Sequence, residues 1–354
     1  AGALGPLVRA GRCRVTLISR QADFVFMPSL PWVACGEAEP SSIVCSLAQT
    51  RAARWSRLLV DPILDIDPIR QVIMTPSGSL SYDVLILAVG AEPDAGALPG
   101  YVDYAYSVSS LPAAWRLCER LRAGDVHRIV VYAHPSSPCA FGLYELALLL
   151  AHRGVRVQLV TSELAPGATT DPAVGRAWQR LARRFAVEVV AGRLAVEVGR
   201  RGLLLDDGRV LAADLVVAAP PPRGRAFTAS LEPAVTRSGL LLTRPSLAST
   251  RWDNLLGAGA VVALSLPVNG YIAERMGMWA ARTAASLLDL RPQPPEPFVA
   301  AQALLHAGPA GSGILFYRSR AHVFGPTRLR AFTAGWPLGR GKPWFRRWYM
   351  TFRV

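Results

Sequence analysis

Lysine is almost missing from this chain. Lys342 stands alone among 354 residues, and arginine supplies the rest of the positive charge behind a net value of +14. Cysteine is sparse and irregular. Cys13, Cys35, Cys45, Cys118 and Cys139 form no C-x-x-C pair, which excludes a zinc-ribbon type of site and argues against a disulfide scaffold in so long a chain. An odd count leaves at least one thiol free or only transiently paired. His127, His134, His152, His306 and His322 share no metal-ligand spacing, so no metal is expected. Ala1 to Arg12 lacks the basic, apolar and cleavage regions of a signal peptide. The nearest approach to a membrane span, Leu255 to Ala273, is interrupted by Pro267, Asn269 and several glycines, so no spanning helix is expected. Charged residues are few and half the chain is hydrophobic, which excludes disorder.

Short apolar runs are present instead, and they read as strands covered on both faces: Arg14–Ser19, Val84–Gly90, Arg128–Tyr132, Val155–Val160 and Leu215–Ala219. Helical patterns lie between some of them. Leu143–Arg153 ends at Gly154, and Asp171 can cap a helix whose first position is Pro172. Ala1–Gly11 reads as the end of a helix feeding the strand at Arg14, and a strand and turn are expected ahead of that helix. Asp206-Asp207-Gly208 signals a hairpin turn. Pro292–Pro297 reads as a linker, and Phe298–Val354 as a tail of different character. Strand and helix alternate, so the expected fold class is α/β: two Rossmann-like, three-layer domains and a C-terminal amphipathic tail.

Val15–Gly36, Ile66-Asp-Pro68 with Ser81–Gly90, Val130–Glu145 with its Cys139, and Trp252–Ala260 with Pro267–Glu274 are four segments that together resemble the sulfide:quinone oxidoreductase family, within the FAD-dependent pyridine nucleotide-disulfide oxidoreductases. The first is Val15–Gly36, a strand followed by an aromatic Phe-x-Pro and Pro-x-Val-x-x-Gly stretch that lies near the flavin in that family. The second is Ile66-Asp-Pro68 with Ser81–Gly90, where small residues let backbone approach the cofactor. The third is Val130–Glu145. Where NADH-using relatives carry G-x-G-x-x-G, this loop has one glycine, Gly142, and two prolines, Pro135 and Pro138, which lack N–H donors. It holds Cys139, followed at the family spacing by Tyr144 and Glu145. A helix N-terminus is expected to stabilise the Cys139 thiolate. The fourth is Trp252–Ala260 with Pro267–Glu274, resembling a strand and a Gly-Tyr turn beside the isoalloxazine, with Val268 and Asn269 replacing the family's lysine and threonine.

The resemblance implies an FAD-binding domain in two pieces, residues 1–112 and 245–290, lacking its first strand and G-x-G-x-x-G. A second Rossmann-like domain is expected at 113–244, and a membrane- and quinone-facing segment at 291–354. It implies FAD as cofactor, held by Gly2, Ser19, Pro28, Pro31, Ala88, Gly90, Gly259, Gly270 and Tyr271. Cys139 and Glu145 are the implied catalytic residues, passing electrons from sulfide or a related small sulfur species through FAD to a quinone. Trp344, Trp348 and Phe352 recur four apart beside arginines, suiting a headgroup interface, burial against the body or, least, nucleic acid. The implied partners are quinone, a sulfur species and a membrane surface, without nucleic acid, and a homo-oligomer is compatible. The implied location is peripheral, on the cytoplasmic or periplasmic face of a bacterial inner membrane.

Departures keep other readings open. No cysteine occurs in Leu231–Gly239, where the family's second essential one falls, and Ser109 stands near a further family cysteine. Family histidines would fall near Ala113 and Ala168. Cys35, in the flavin-proximal segment, is the better substitute thiol, since Cys118 reads as core. His134 reads as a local base or an ordinary histidine. A non-catalytic relative kept as a binding or assembly subunit therefore remains an alternative. So does an NADH:quinone oxidoreductase, which the proline-rich loop disfavours.

Overall fold

The computed structural model describes residues 2–169, 172–264, 268–291, 298–301, 316–322, 328–333 and 341–352. The expected cap at Asp171, the turn residue Pro267 and the linker Pro292–Pro297 lie outside them.

A five-stranded parallel sheet organises the middle of the chain. Its order is Ala105–Tyr106, Leu215–Ala219, Arg128–Ala133, Arg156–Thr161 and Glu188–Ala191. The central members are valine- and leucine-rich because both faces are covered. Helices Ala140–His152 and Pro172–Arg184 make the crossovers between successive strands. The strand at Ala105–Tyr106 joins this sheet although it precedes the boundary expected at residue 112. Asp206–Gly208 turns the chain between Gly202–Leu205 and Val210–Ala212, in a three-stranded antiparallel sheet.

The other body is built from pairs. Thr16–Ser19 runs parallel to Arg57–Val60, and Leu85–Leu87 runs parallel to Leu255–Gly257. An antiparallel sheet of Asp65–Asp67, Val72–Thr75 and Gly78–Ser81 stands beside them. The start of the chain is helical, as Gly2–Leu4 and Gly5–Arg9. Gly5 is buried, and a Cβ there would lie 3.1 Å from the Trp55 indole. Close packing of this helix therefore depends on Gly5 rather than on Gly2, around which space is open.

The helix Ala140–His152 runs through the core. Leu143 to Leu150 are each 0–1 % exposed, so it is apolar all round, apart from Glu145 and Tyr144. It is clamped between the parallel sheet and the short Leu30–Ala34 helix. That sandwich fixes where its N-terminal residue, Cys139, can sit.

Candidate active site

The segment Phe26–Ala34 is the hub of the site. Leu30, Pro31, Trp32, Val33 and Ala34 are all buried. Pro31 packs under the start of the Cys139 helix: its Cγ lies 3.6 Å from where a Cβ on Gly142 would be. Pro28 is exposed and faces the start of the Gly270–Leu287 helix, with its Cγ 3.8 Å from a Cβ placed on Gly270. Gly259, in a left-handed conformation (φ 77°), lies against Ala273 of the same helix. Two helix N-termini and two prolines therefore converge, and Pro28, Pro31, Gly259, Gly270 and, by adjacency, half-buried Tyr271 share one region. Asn269 replaces the family's threonine and takes up a helix-capping role, its side chain accepting from Ile272 N–H at 3.0 Å.

Ser19 and Ala88 lie apart from that group. Both line a cleft of about 1360 Å³ between the two strand pairs. The Ser19 hydroxyl donates to the Gln21 carbonyl at 2.7 Å in a local turn. Gly90 (φ 67°) follows the strand that ends beside this cleft.

Glu145 is 1 % exposed and accepts from the Trp32 indole Nε1 at 2.8 Å. Spacing gives no sign of this bond, because 113 residues separate its partners. The bond ties the Cys139 helix to the hub. Above Trp32 lies Arg346 of the Gly341–Phe352 helix, its guanidinium 5.7 Å from the ring centroid and Nη1 3.3 Å from Ser42 Oγ. Tyr349 meets Phe26 at 5.3 Å between centroids, and Tyr349 and Met350 pack on the core. This face of the tail helix thus rests on the protein body. Of the aromatic stripe, the side chains of Trp344 and Phe352 lie outside the described residues.

Cys139 caps the helix Ala140–His152 and is half-buried. Its thiol is pushed up to about 11 by burial. That is opposite to the thiolate stabilisation expected at a helix N-terminus, because removing the sulfur from water disfavours its anion and, among the described residues, no cation compensates. Alkylation by iodoacetamide should therefore be slow at pH 7 and accelerate about tenfold per pH unit until near that value. A rate at Cys139 that levels off near pH 8, read by mass spectrometry, would contradict this.

The loop before Cys139 is closed on itself. Ser137 N–H donates to the His134 carbonyl at 2.9 Å, and Ser136 N–H to His134 Nδ1 at 3.3 Å. Cys139 N–H reaches Ser137 Oγ at 3.3 Å, and Ala140 N–H the Ser137 carbonyl at 3.0 Å. Four N–H groups are engaged and Pro135 and Pro138 have none, which leaves residues 135–140 without free donors to cradle a pyrophosphate. His134 is held neutral, since burial lowers its pKa, and its Nδ1 lies 2.7 Å from the Ser136 hydroxyl.

Tyr101, Ser107 and Ser109 also stand near Cys139. The two serine hydroxyls are 2.9 Å apart, and the pKa of neighbouring Tyr101 is raised chiefly by burial. Ser109, noted only as a missing cysteine, is thus one end of a hydroxyl chain. Cys35 does not serve as a second reactive thiol. It is 1 % exposed, and burial pushes its thiol far up. Cys118 is core, as expected, at 2 % exposure. Among the described residues, no cluster of ligands suits a metal ion and no helix is long and apolar enough to cross a membrane.

Residues 3–277 match the family model for pyridine nucleotide-disulphide oxidoreductases. The chain belongs to that family. Its members are FAD-binding oxidoreductases. The fold is similar to that of the sulfide:quinone oxidoreductase from Aquifex aeolicus, with a TM-score of 0.84 at 20% identity over 99% of this chain and 87% of that one. Two curated relatives are similar in sequence. The external alternative NAD(P)H-ubiquinone oxidoreductase B1 of Solanum tuberosum is 29% identical over 29% of this chain, and terpredoxin reductase of a Pseudomonas species is 27% identical over 67%. The matches span 20% and 59% of those relatives.

The residues present suit FAD at two ends. Among the described residues, the Ser29 hydroxyl beside Pro28 is fully buried with no protein partner, and Tyr82, on the cleft, also has an unpartnered hydroxyl. Buried polar atoms of this kind call for a ligand or ordered water.

Proposed function

We propose that this oxidoreductase is of the sulfide:quinone type, taking electrons from hydrosulfide or a related small sulfur species and delivering them to a quinone. One observation carries the reading: the loop that would hold a nicotinamide dinucleotide has its N–H groups engaged internally and presents a thiol instead. Bound FAD supplies the two-electron redox chemistry. Ser19 and Ala88 would hold its adenosine end, with Gly2 and Gly90 nearby in the chain. Pro28, Pro31, Gly259, Gly270 and Tyr271 would hold its flavin end.

Cys139 carries the sulfur. Its thiol and one hydrosulfide give the deprotonated Cys139 persulfide anion, two protons and two electrons, and the quinone takes up both pairs to become the quinol. Glu145 is a positioning residue in this reading. Through Trp32 it keeps the prolines of the hub against the two helix N-termini. The tail helix bears on the same indole, so the quinone-facing and membrane-facing roles proposed for residues 291–354 meet the site there, on one face of a membrane.

The relatives named for NAD(P)H favour a second reading, in which a nicotinamide cofactor is the donor. Anaerobic titration of the flavin-loaded protein separates the two. Hydrosulfide is expected to bleach the oxidised-flavin absorbance while NADH leaves it unchanged. Bleaching by NADH alone would overturn the proposal, and protein that takes up no FAD would point to a binding or assembly role.

A further inference from the structure

The cleft that Ser19 and Ala88 border receives a cation from the segment that leaves the five-stranded sheet after Leu215–Ala219. That cation is Arg225. Its backbone is held firmly. The Arg225 carbonyl accepts from the Thr228 N–H at 2.9 Å and from the Thr228 hydroxyl at 2.7 Å. Next to it, Gly224 lies so close to the Gly239 carbonyl that a Cβ there would be 1.9 Å from that oxygen. The side chain is oriented by Glu92, two residues after Gly90. Arg225 Nη1 donates to Glu92 Oε2 at 3.1 Å, and Arg223 donates to Oε1 from Nε at 3.1 Å and Nη2 at 3.0 Å. Pro222–Arg223 pairs antiparallel with Glu92–Pro93, so the backbone register brings the three charges together. One carboxylate thus faces two guanidinium groups, and positive charge is left over. The two arginines differ in place. Arg225 borders the cleft with its side chain 27 % exposed, whereas Arg223, 50 % exposed, lies outside the cleft lining.

We infer that Arg225 is a cofactor-contacting residue that holds the diphosphate of FAD. The inference rests on the cofactor placement proposed above and not on the choice of electron donor. Glu92 engages Arg225 through Nη1. A guanidinium carries its N–H donors in a planar fork, so a second edge remains for an oxyanion. Ligands of open α/β sheets sit outside the carboxyl ends of the strands. Ser19 ends its strand, and Ala88, Gly90 and Glu92 follow the end of Leu85–Leu87. Arg225 therefore stands at the end of the cleft where a cofactor is expected. The diphosphate is the anionic part of FAD, and its rings and ribose offer a guanidinium no charge to pair with. Glu92 does not repel it, because two guanidinium groups neutralise that carboxylate. They also hold the fork in place beforehand, which lowers the ordering cost of binding. Local sequence gives no sign of this arrangement, since 133 residues separate Glu92 from Arg225.

The test is FAD affinity, read from flavin fluorescence as the cofactor is added to the full-chain apoprotein, with riboflavin as a ligand that lacks the diphosphate. Arg225→Gln should weaken FAD about 10- to 100-fold, the worth of a charge-assisted pair, and leave riboflavin binding unchanged. Arg225→Lys keeps the charge without the fork and should recover part of the loss. Arg223→Gln removes the other partner of Glu92 and should bind FAD within about threefold of the parent. All three variants should keep the far-UV circular dichroism of the parent. Equal weakening by Arg223→Gln would mean that the clasp only supports the fold, and would overturn the inference. So would an equal loss of riboflavin binding, or FAD binding in Arg225→Gln within about threefold of the parent. A parent chain that binds no FAD would remove the cofactor placement as well, whereas an unaffected Arg225→Gln in an FAD-binding parent removes this residue alone. The readout is binding rather than turnover, so it stands or falls independently of the sulfide and quinone proposal.

Discussion

Exchanging Cys139 for serine is expected to slow hydrosulfide-dependent quinone reduction on the order of 10³-fold or more, the scale on which loss of a covalent nucleophile is felt. Serine keeps the size and the helix position but cannot hold a second sulfur. The oxidised-flavin absorbance of the loaded variant should match that of the parent, since none of the proposed cofactor contacts uses the thiol. Absorbance separates loss of chemistry from loss of cofactor. A serine variant that reduces quinone within a factor of a few of the parent would remove Cys139 from the reaction. The remaining cysteines offer no ready substitute at this position, because Cys35 and Cys118 are buried and no cysteine occurs between Leu231 and Gly239.

Glu163→Ala should be the most destabilising of the simple substitutions. Glu163 is 7 % exposed and its carboxylate organises the loop between the Arg156–Thr161 strand and the Pro172–Arg184 helix. It accepts from Gly167 N–H at 2.8 Å, from Thr169 N–H at 2.7 Å and from the Tyr144 hydroxyl. Tyr144 in turn packs edge-on against the fully buried Trp178. Removing the acceptor takes the partner from the buried Gly167 N–H and from Thr169 N–H and leaves the Tyr144 hydroxyl only Thr161 Oγ1 at 3.4 Å, a loss of about 3 kcal/mol. Chemical denaturation should show that loss as a lower midpoint with an unchanged slope. Glu163→Gln, which keeps one acceptor oxygen, should lose clearly less. A change below about 1 kcal/mol in the alanine variant would show that the loop is held by other contacts. Because Tyr144 precedes Glu145 in the same helix, the alanine variant should also loosen the hub that Trp32 and Glu145 share.

The elements most legible in the sequence were those with an unambiguous local pattern. The strands at Arg128–Ala133, Arg156–Thr161 and Leu215–Ala219 lie within a residue or two of the apolar runs that signal them, since a strand covered on both faces is simply a short hydrophobic run. Asp206–Gly208 gave its turn through glycine alone. The Cys139 helix begins three residues before its apolar pattern does, because its first turn packs on Pro31 rather than showing periodicity. The short Leu30–Ala34 helix had no signal at all. It has two prolines' worth of context and five residues, and only packing against the Cys139 helix makes it stable.

Residue type and order by themselves determined the α/β class, the family and the replacement of a glycine cradle by a thiol, because each rests on which groups the backbone carries. A proline has no N–H wherever the loop goes. Tertiary structure decided everything that depends on water and on distant neighbours. It set the direction of the Cys139 thiol, since desolvation is a property of the surroundings and not of the helix end. It joined Trp32 to Glu145 across the chain and laid Arg346 over the same indole. It also turned two strand edges toward a shared cleft, a relation between segments that no local pattern encodes.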